Sequence, residues 1–135
     1  MTGRYHVAMR NVAGLLLAAL VVGAAPMRRS TTDPIQVNVK LSEWKVELSQ
    51  ATVPAGAVTF AITNAGSIPH AVEVEGNGIE QEAAVIQPGA TAALTVTLKP
   101  GTYDVYCPVG QDSHKKLGMD TRLKVVSATS PARPG

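Results

Sequence analysis

The chain has 135 residues, with 12 Lys and Arg, 10 Asp and Glu, and a single cysteine. This length predicts one domain with a core large enough to fold without disulfides. Because the chain has one cysteine, an internal disulfide is excluded. Arg4 and Arg10 lie in the N-terminal segment, so the remaining ten basic residues balance the ten acidic ones. Because a nucleic-acid partner needs a clustered basic face, this balance argues against one.

The first 25 residues are typical of an export signal. Arg4 and Arg10 precede an apolar run over residues 12–25 that ends in small side chains. The run of about 14 residues is shorter than the ~20 that span a bilayer as a helix. We therefore predict a signal peptide over residues 1–25 and a periplasmic or otherwise extracytoplasmic location. The alternative is an uncleaved anchor, which would then attach the chain to the membrane.

Residues 26–34 are predicted to be a flexible lead-in, and residues 35–126 to be the folded domain. Within the domain, apolar and polar side chains alternate in short runs, as they do in half-buried strands. Pro-Gly and Ala-Gly turn sequences separate these runs. The predicted strands cover residues 35–41, 44–48, 58–63, 70–75, 94–98, 102–107 and 122–125.

Two segments of the chain give weaker patterns. Residues 79–86 have apolar ends, but the Glu, Gln and Ala residues at their centre favour a helical turn, so their structure is ambiguous. Residues 127–135, with two prolines, Gly and Ser, are predicted to be a disordered tail. Short strands with frequent turns and no long helix predict an all-β fold, an antiparallel sandwich.

The stretch 106–119 places a thiol, an imidazole and a thioether in one loop between two predicted strands. Soft sulfur ligands together with imidazole suit copper or zinc rather than magnesium or calcium. His70 is the one further histidine after the N-terminal segment. With it, His70, Cys107, His114 and a weakly bound Met119 make up the ligand set of blue copper sites, and we predict that these four side chains bind the metal.

Two segments of the sequence resemble the cupredoxin family. Residues 64–70 have the pattern Asn-x-Gly-x-x-x-His, and residues 106–119 read Tyr-Cys-Pro, then His, then Gly-Met. The likeness extends over roughly residues 35–126. It implies a Greek-key sandwich that holds one type 1 copper ion per chain and transfers single electrons. It also implies that His114 exposes a ring edge through an apolar patch, beside which redox donors and acceptors dock.

The sequence departs from the family pattern at two places. Ala71 follows His70, where many cupredoxins have an Asn whose hydrogen bonds tie the ligand loops together. A different contact must replace that tie, or the loops are held less rigidly. Six residues separate Cys107 from His114, more than in plastocyanin-like or azurin-like members, which changes the loop geometry without cancelling the ligand assignment.

Each candidate ligand also has an ordinary structural explanation. Cys107 could be a buried thiol that packs as a small apolar side chain, and Met119 could fill the core. His70 and His114 could be structural or exposed loop residues. An unpaired thiol is reactive in an oxidising compartment unless something occupies it, and this favours the ligand hypothesis for Cys107.

We therefore predict an extracytoplasmic electron carrier and not an enzyme, because copper oxidases and nitrite reductases need further histidines for a second copper centre. The alternative is an extracytoplasmic copper-binding or delivery protein that does not carry electrons. Zinc suits the site less well, since Met is a poor zinc ligand. We also expect a monomer without a small-molecule substrate, whose partners are redox proteins that dock near His114.

Overall fold

The computed structural model of the chain describes residues 22–25 and 33–129. Backbone contacts divide the chain into two units, Met1–Ser30 and Thr31–Gly135. Of the first unit, the four described residues are exposed and have no regular secondary structure. Most of the predicted signal peptide and lead-in, and residues 130–135 of the predicted tail, lie outside the described residues. Across the two described ranges, no helix has the length and apolar character needed to cross a membrane.

Residues 33–129 form nine β-strands and one short helix. The elements in chain order are β1 (Ile35–Ser42), β2 (Lys45–Leu48), β3 (Thr52–Pro54), β4 (Gly56–Asn64), β5 (Glu73–Gly76), β6 (Ile79–Glu82), β7 (Thr91–Leu98), β8 (Gly101–Tyr106), α1 (Ser113–Lys116) and β9 (Asp120–Val126). Residues 127–129 follow β9 without regular structure.

The strands form two sheets, ordered β2-β1-β4-β7 and β3-β9-β8-β5-β6. The all-β sandwich is thus confirmed, and its sheets are mixed, whereas the sequence predicted an antiparallel sandwich. Strands β1 and β4 pair in parallel, as do β3 and β9. A parallel pair needs a crossover connection. The chain makes the first crossover through β3 in the opposite sheet, so it re-enters beside β1 in the same direction.

The core lies between the sheets and contains the residues that the alternating pattern predicts. In β1, Val37, Val39 and Leu41 are buried while the residues between them are exposed. The inward side chains of β4, β8 and β9 complete one continuous apolar cluster with them. Burial of each such Val, Leu, Ile or Phe side chain contributes about 1.5–3 kcal/mol, so this alternation fixes which face of each strand points inward.

The structure settles one segment that the sequence left ambiguous and departs from the sequence-based expectations elsewhere. Strand β6 pairs with β5 from Glu73 opposite Glu82 to Gly76 opposite Ile79, so ladder hydrogen bonds outweigh the helical preference of this segment. Trp44 lies in the turn between β1 and β2 rather than in a strand, and it is 40% exposed. Helix α1 occupies part of the loop between β8 and β9, where no helix was predicted.

Candidate metal centre

His70 lies in the loop between β4 and β5, and its side chain is fully buried. Its backbone pairs with Ile86: the His70 N–H donates to the Ile86 carbonyl at 3.2 Å, and the Ile86 N–H donates to the His70 carbonyl at 2.7 Å. The buried side chain of Asn64 supports this loop. Its Nδ2 donates to the carbonyls of Ile68 and Ile86 at 2.9 and 2.8 Å, and its Oδ1 accepts the Gly66 N–H.

Cys107 follows the last residue of β8, and its side chain points into the core as the alternation predicted. Its backbone N–H donates to the Met119 carbonyl at 3.1 Å, which joins the two ends of the loop. The Ala71 N–H donates to Cys107 Sγ at 3.4 Å. Burial raises the pKa of the Cys107 thiol. A buried thiol with a raised pKa is unlike the exposed, activated thiol of a cysteine hydrolase.

His114 lies in the single turn of α1 and is partly buried. The turn that precedes the helix has a left-handed backbone, with φ of 72° at Gly110, 54° at Gln111 and 64° at Asp112. The Met119 N–H then donates to the His114 carbonyl at 3.1 Å. The extra residues between Cys107 and His114 are therefore taken up by one left-handed turn and one helical turn, which return the imidazole to the cysteine.

The three side chains meet in a small triangle. His70 Nδ1 lies 3.2 Å from His114 Nδ1, and Cys107 Sγ lies 3.8 Å from the first nitrogen and 3.6 Å from the second. A point equidistant from the three atoms is about 2 Å from each, the length of a metal–imidazole bond. Within residues 22–25 and 33–129, this trio is the group of His, Cys, Asp or Glu side chains that lie close enough together to hold a metal ion. The donor set and its distances fit a single copper ion.

Met119, the fourth predicted ligand, is fully buried and belongs to the core cluster. Its backbone bonds both to Cys107 and to His114, so it lies directly beside the triangle. These contacts explain its burial with or without a metal. Coordination by the Met119 thioether therefore stays a prediction.

Two residues that sequence reasoning missed, Glu43 and Trp44, cover the outer side of the triangle. Glu43 Oε1 accepts hydrogen bonds from the Ser67 N–H at 2.7 Å and the Ile68 N–H at 3.1 Å, and it lies 3.2 Å from His70 Nε2. The Trp44 ring stands edge-on to both imidazoles. Nothing in the local sequence marks either residue, because the contacts depend on the β1–β2 turn reaching a loop more than twenty residues away.

These contacts show what holds the His70 loop although residue 71 is alanine and not asparagine. The loop that carries His70 is held by the side chains of Asn64 and Glu43, so an Asn at position 71 is not needed to fix it. The backbone N–H of Ala71 also reaches the sulfur directly. Among these contacts, the hydrogen bond from Ala71 N–H to Cys107 Sγ is the one that joins the two ligand loops.

Burial favours the neutral form of the His114 imidazole, the form that binds metals. Hydrogen bonds from the backbone N–H groups of Glu43 itself, Ser67 and Ile68, followed by His70, lower the pKa of Glu43 to about 2. Burial, followed by the neighbouring His70, lowers the pKa of His114, although the negative charge of Glu43 acts in the opposite direction.

A second polar group links the two ligand-bearing segments. The Tyr106 hydroxyl donates to Glu73 Oε1 at 2.6 Å and to Glu75 Oε2 at 3.1 Å, which explains why Glu73 and Tyr106 are buried although polar. Burial, and then the two carboxylates, raise the pKa of Tyr106. The ammonium of Lys115 stands 3.4 Å above the centre of the same ring. The residue after His114 thus packs on the residue before Cys107.

Residues 13–117 of the chain match the family described as the cupredoxin-like domain. Among curated proteins, the iron uptake system component EfeO of Escherichia coli K12 is 32% identical over 124 residues, which are 91% of this chain and 32% of that protein. EfeO of Yersinia pseudotuberculosis is 30% identical over 101 residues, or 74% of this chain and 27% of that protein. The chain therefore spans about a third or less of these relatives.

Two solved structures have a similar fold. Dithionite-reduced auracyanin from Roseiflexus castenholzii superposes with a TM-score of 0.59 at 18% identity, covering 67% of this chain and 96% of its own. Auracyanin A from Chloroflexus aurantiacus, described as a "blue" copper protein, gives 0.58 at 19% identity, covering 69% of this chain and 99% of its own. At these identities the likeness shows the fold alone.

Proposed function

Because the chain belongs to the cupredoxin-like domain family, we propose that it is a type 1 copper protein that carries single electrons between redox partners outside the cytoplasm. The observation that carries the proposal is the triangle of His70 Nδ1, Cys107 Sγ and His114 Nδ1. We assign these three atoms as the strong ligands and the Met119 thioether as a weak fourth one. The proposal assigns no catalytic reaction to the chain.

When it is bound, copper supplies a one-electron couple. The protein's part is to hold the ligands nearly still in both oxidation states, because a small structural change makes electron transfer fast. Cys107 binds as a thiolate, since a coordinated thiol loses its proton. The backbone bonds of His70 to Ile86 and of Cys107 to Met119 restrain two of the three ligands from outside the triangle.

Burial of the ligands supports the carrier over the delivery protein. His70 and Cys107 are fully buried, and Trp44 packs against the partly buried His114. A delivery protein must release its ion to a partner, which an exposed and labile site allows more easily. A purified protein that binds copper(I) but is colourless with copper(II) would favour delivery instead.

We place the docking surface for redox partners around His114. Leu117 is 56% exposed and Trp44 40% exposed, so apolar side chains are available beside the site. Lys115 and Lys116 add positive charge in the last turn of α1. A partner with an acidic docking site would therefore bind faster at low salt than at high salt.

The curated relatives support a second candidate, in which the copper centre serves iron uptake. EfeO is described as an iron uptake system component, and the chain is similar to about a third of it. In this version, copper(II) held by His70, Cys107 and His114 would take one electron from ferrous iron, which would leave copper(I) and ferric iron. Stoichiometric bleaching by ferrous ions, together with lower iron accumulation in the host when Cys107→Ser replaces the natural chain, would favour this candidate.

The test of the main proposal is an absorption spectrum of the mature protein with copper(II). An intense blue band that bleaches on reduction and returns on oxidation is expected from the thiolate ligand. Cys107→Ser should abolish the band while leaving the fold intact by circular dichroism. A colourless wild-type complex would overturn the assignment. N-terminal sequencing of the protein recovered from outside the cytoplasm tests the export prediction in the same preparation.

A further inference from the structure

The carboxylate of Glu43 is a charged group in contact with the ligand triangle, and its surroundings determine what it does there. Its Oε1 lies 3.2 Å from Nε2 of His70, the ring nitrogen that faces away from Cys107 and His114. An ionised carboxylate only accepts hydrogen bonds, so the Nε2 atom of a neutral His70 must carry the proton. The lone pair then remains on Nδ1, the atom that points into the triangle.

The same oxygen is held in place from the other side. The N–H groups of Ser67 and Ile68 donate to it at 2.7 and 3.1 Å, so the side chain is fixed although it is 30% exposed. The contact is also tight, because a methyl group at Gly66 would overlap the carboxylate oxygen. Glu43 therefore positions the His70 loop and the His70 ring through a single oxygen atom.

We propose that Glu43 is a positioning residue for the copper centre: it fixes the His70 tautomer that binds through Nδ1, and its negative charge favours copper(II) over copper(I). This inference rests on the proposed copper site. Carboxylates that accept the second N–H of a ligand histidine orient the ring and increase its basicity. A negative charge one imidazole away from the ion also stabilises the more highly charged oxidation state.

Two substitutions separate the two effects. Glu43→Gln keeps an oxygen that can accept the three hydrogen bonds but removes the charge, whereas Glu43→Ala removes both. Glu47→Gln is the matched control, because Glu47 belongs to the same hairpin, carries the same charge and pairs with Lys45 at 2.8 Å instead of with the site. Thermal unfolding of each metal-free variant establishes that it folds.

The first measurement uses metal-free protein and does not depend on copper. Nitrogen-15 NMR of labelled histidine should show His70 protonated at Nε2 in the wild type, in Glu43→Gln and in Glu47→Gln. In Glu43→Ala the ring should lose this single tautomer. A wild-type His70 protonated at Nδ1, or a tautomer unchanged in Glu43→Ala, would overturn the positioning role even if the protein proves to be blue.

The second measurement compares the affinities for copper(II) and copper(I). Glu43→Ala should lower copper(II) affinity by about 10-fold to 100-fold. Glu43→Gln should lower the ratio of copper(II) to copper(I) affinity by about threefold to tenfold. A tenfold change corresponds to a reduction potential higher by about 59 mV. Equal ratios in Glu43→Gln and Glu47→Gln would overturn the charge effect. A wild-type protein without a blue band would instead overturn the proposed function, and the tautomer measurement would still decide the role of Glu43.

Discussion

Trp44 stands edge-on against His114, with the ring centroids 5.0 Å apart and the ring planes at 76°. Its centroid is 6.5 Å from that of His70. Trp44 is also the single tryptophan of the chain. The protein therefore carries its single tryptophan fluorophore next to two of the three proposed ligands, and 40% of that residue remains exposed to solvent.

This contact predicts that copper(II) binding quenches the tryptophan fluorescence. Emission should fall in proportion to added copper(II), stop falling at one equivalent and recover when a chelator removes the ion. The reason is that His70 and His114, which would bind the paramagnetic ion, are in contact with the Trp44 ring. Zinc(II) should quench much less at equal occupancy. His114→Ala should weaken binding and shift the titration to higher copper concentrations. Full emission at one bound copper(II) would place the ion elsewhere.

The hydrogen bonds of Tyr106 predict a second effect, on stability. Tyr106→Phe removes the donor to Glu73, whose side chain is only 5% exposed, and leaves the carboxylate poorly satisfied. We expect the free energy of unfolding to fall by about 1–3 kcal/mol in denaturant titrations. The Lys115 contact with the ring face should persist, because phenylalanine keeps that face.

A double-mutant cycle tests whether this loss of stability comes from the interaction between Tyr106 and Glu73. The double variant Tyr106→Phe, Glu73→Gln should lose less free energy of unfolding than the sum of the losses in the two single variants. The reason is that Glu73→Gln removes the carboxylate that Tyr106→Phe leaves without its donor. Strict additivity would mean that the hydroxyl and the carboxylate do not interact in solution.

The sequence was sufficient for the parts of the fold that depend on local periodicity. Alternation in β1, β4 and β8 predicted their inward faces, including that of Cys107, because burial of alternate side chains is decided within each strand. The order of His70, Cys107 and His114 in a familiar pattern then predicted which side chains meet, and the structure brings those three together.

The features of the fold and of the site that the sequence did not predict depend on contacts between distant segments, and local periodicity does not encode such contacts. The parallel pairing of β1 with β4 follows from the path of the intervening chain. The contact of Glu43 with His70 needs the β1–β2 turn to reach the His70 loop. Helix α1 was missed because its one turn is too short to produce a helical period.

Asn64 gives a third prediction, which concerns the His70 loop. Asn64→Ala removes the side-chain donor to the Ile68 carbonyl and the acceptor for the Gly66 N–H, while the Ile86 carbonyl loses one of its two donors and keeps the His70 N–H. Leaving a buried polar group unpaired costs about 1–3 kcal/mol, so the protein should be less stable and should bind copper(II) more weakly. Asn38→Ala is the matched control, because Asn38 is exposed on β1 and should cost little. Equal losses in the two variants would contradict the role of Asn64.

The last prediction concerns pH and a carboxylate away from the metal site. Repulsion from Glu73 is the largest cause that raises the pKa of Glu80 above 4.5, and Glu75 and Glu82 add to it. A raised carboxyl pKa in the folded protein means that ionised Glu80 destabilises the fold. This destabilisation is fully present above the folded-state pKa of Glu80. It disappears as the pH falls below 4.5, where Glu80 is protonated in both the folded and the unfolded protein. Glu80→Gln should therefore raise the melting temperature at pH 7 but leave it nearly unchanged near pH 4.

Glu47 provides a control of opposite sign. Its hydrogen bond and charge interaction with Lys45 lower the pKa of Glu47, so this carboxylate stabilises the fold above 4.5 and loses that contribution as the pH falls through its folded-state value. Glu47→Gln should thus lower the melting temperature slightly at pH 7, since the pair is exposed and solvent screens it. If both substitutions shift stability in the same direction at pH 7, then loss of net charge, rather than the local acidic neighbours of Glu80, explains the effect.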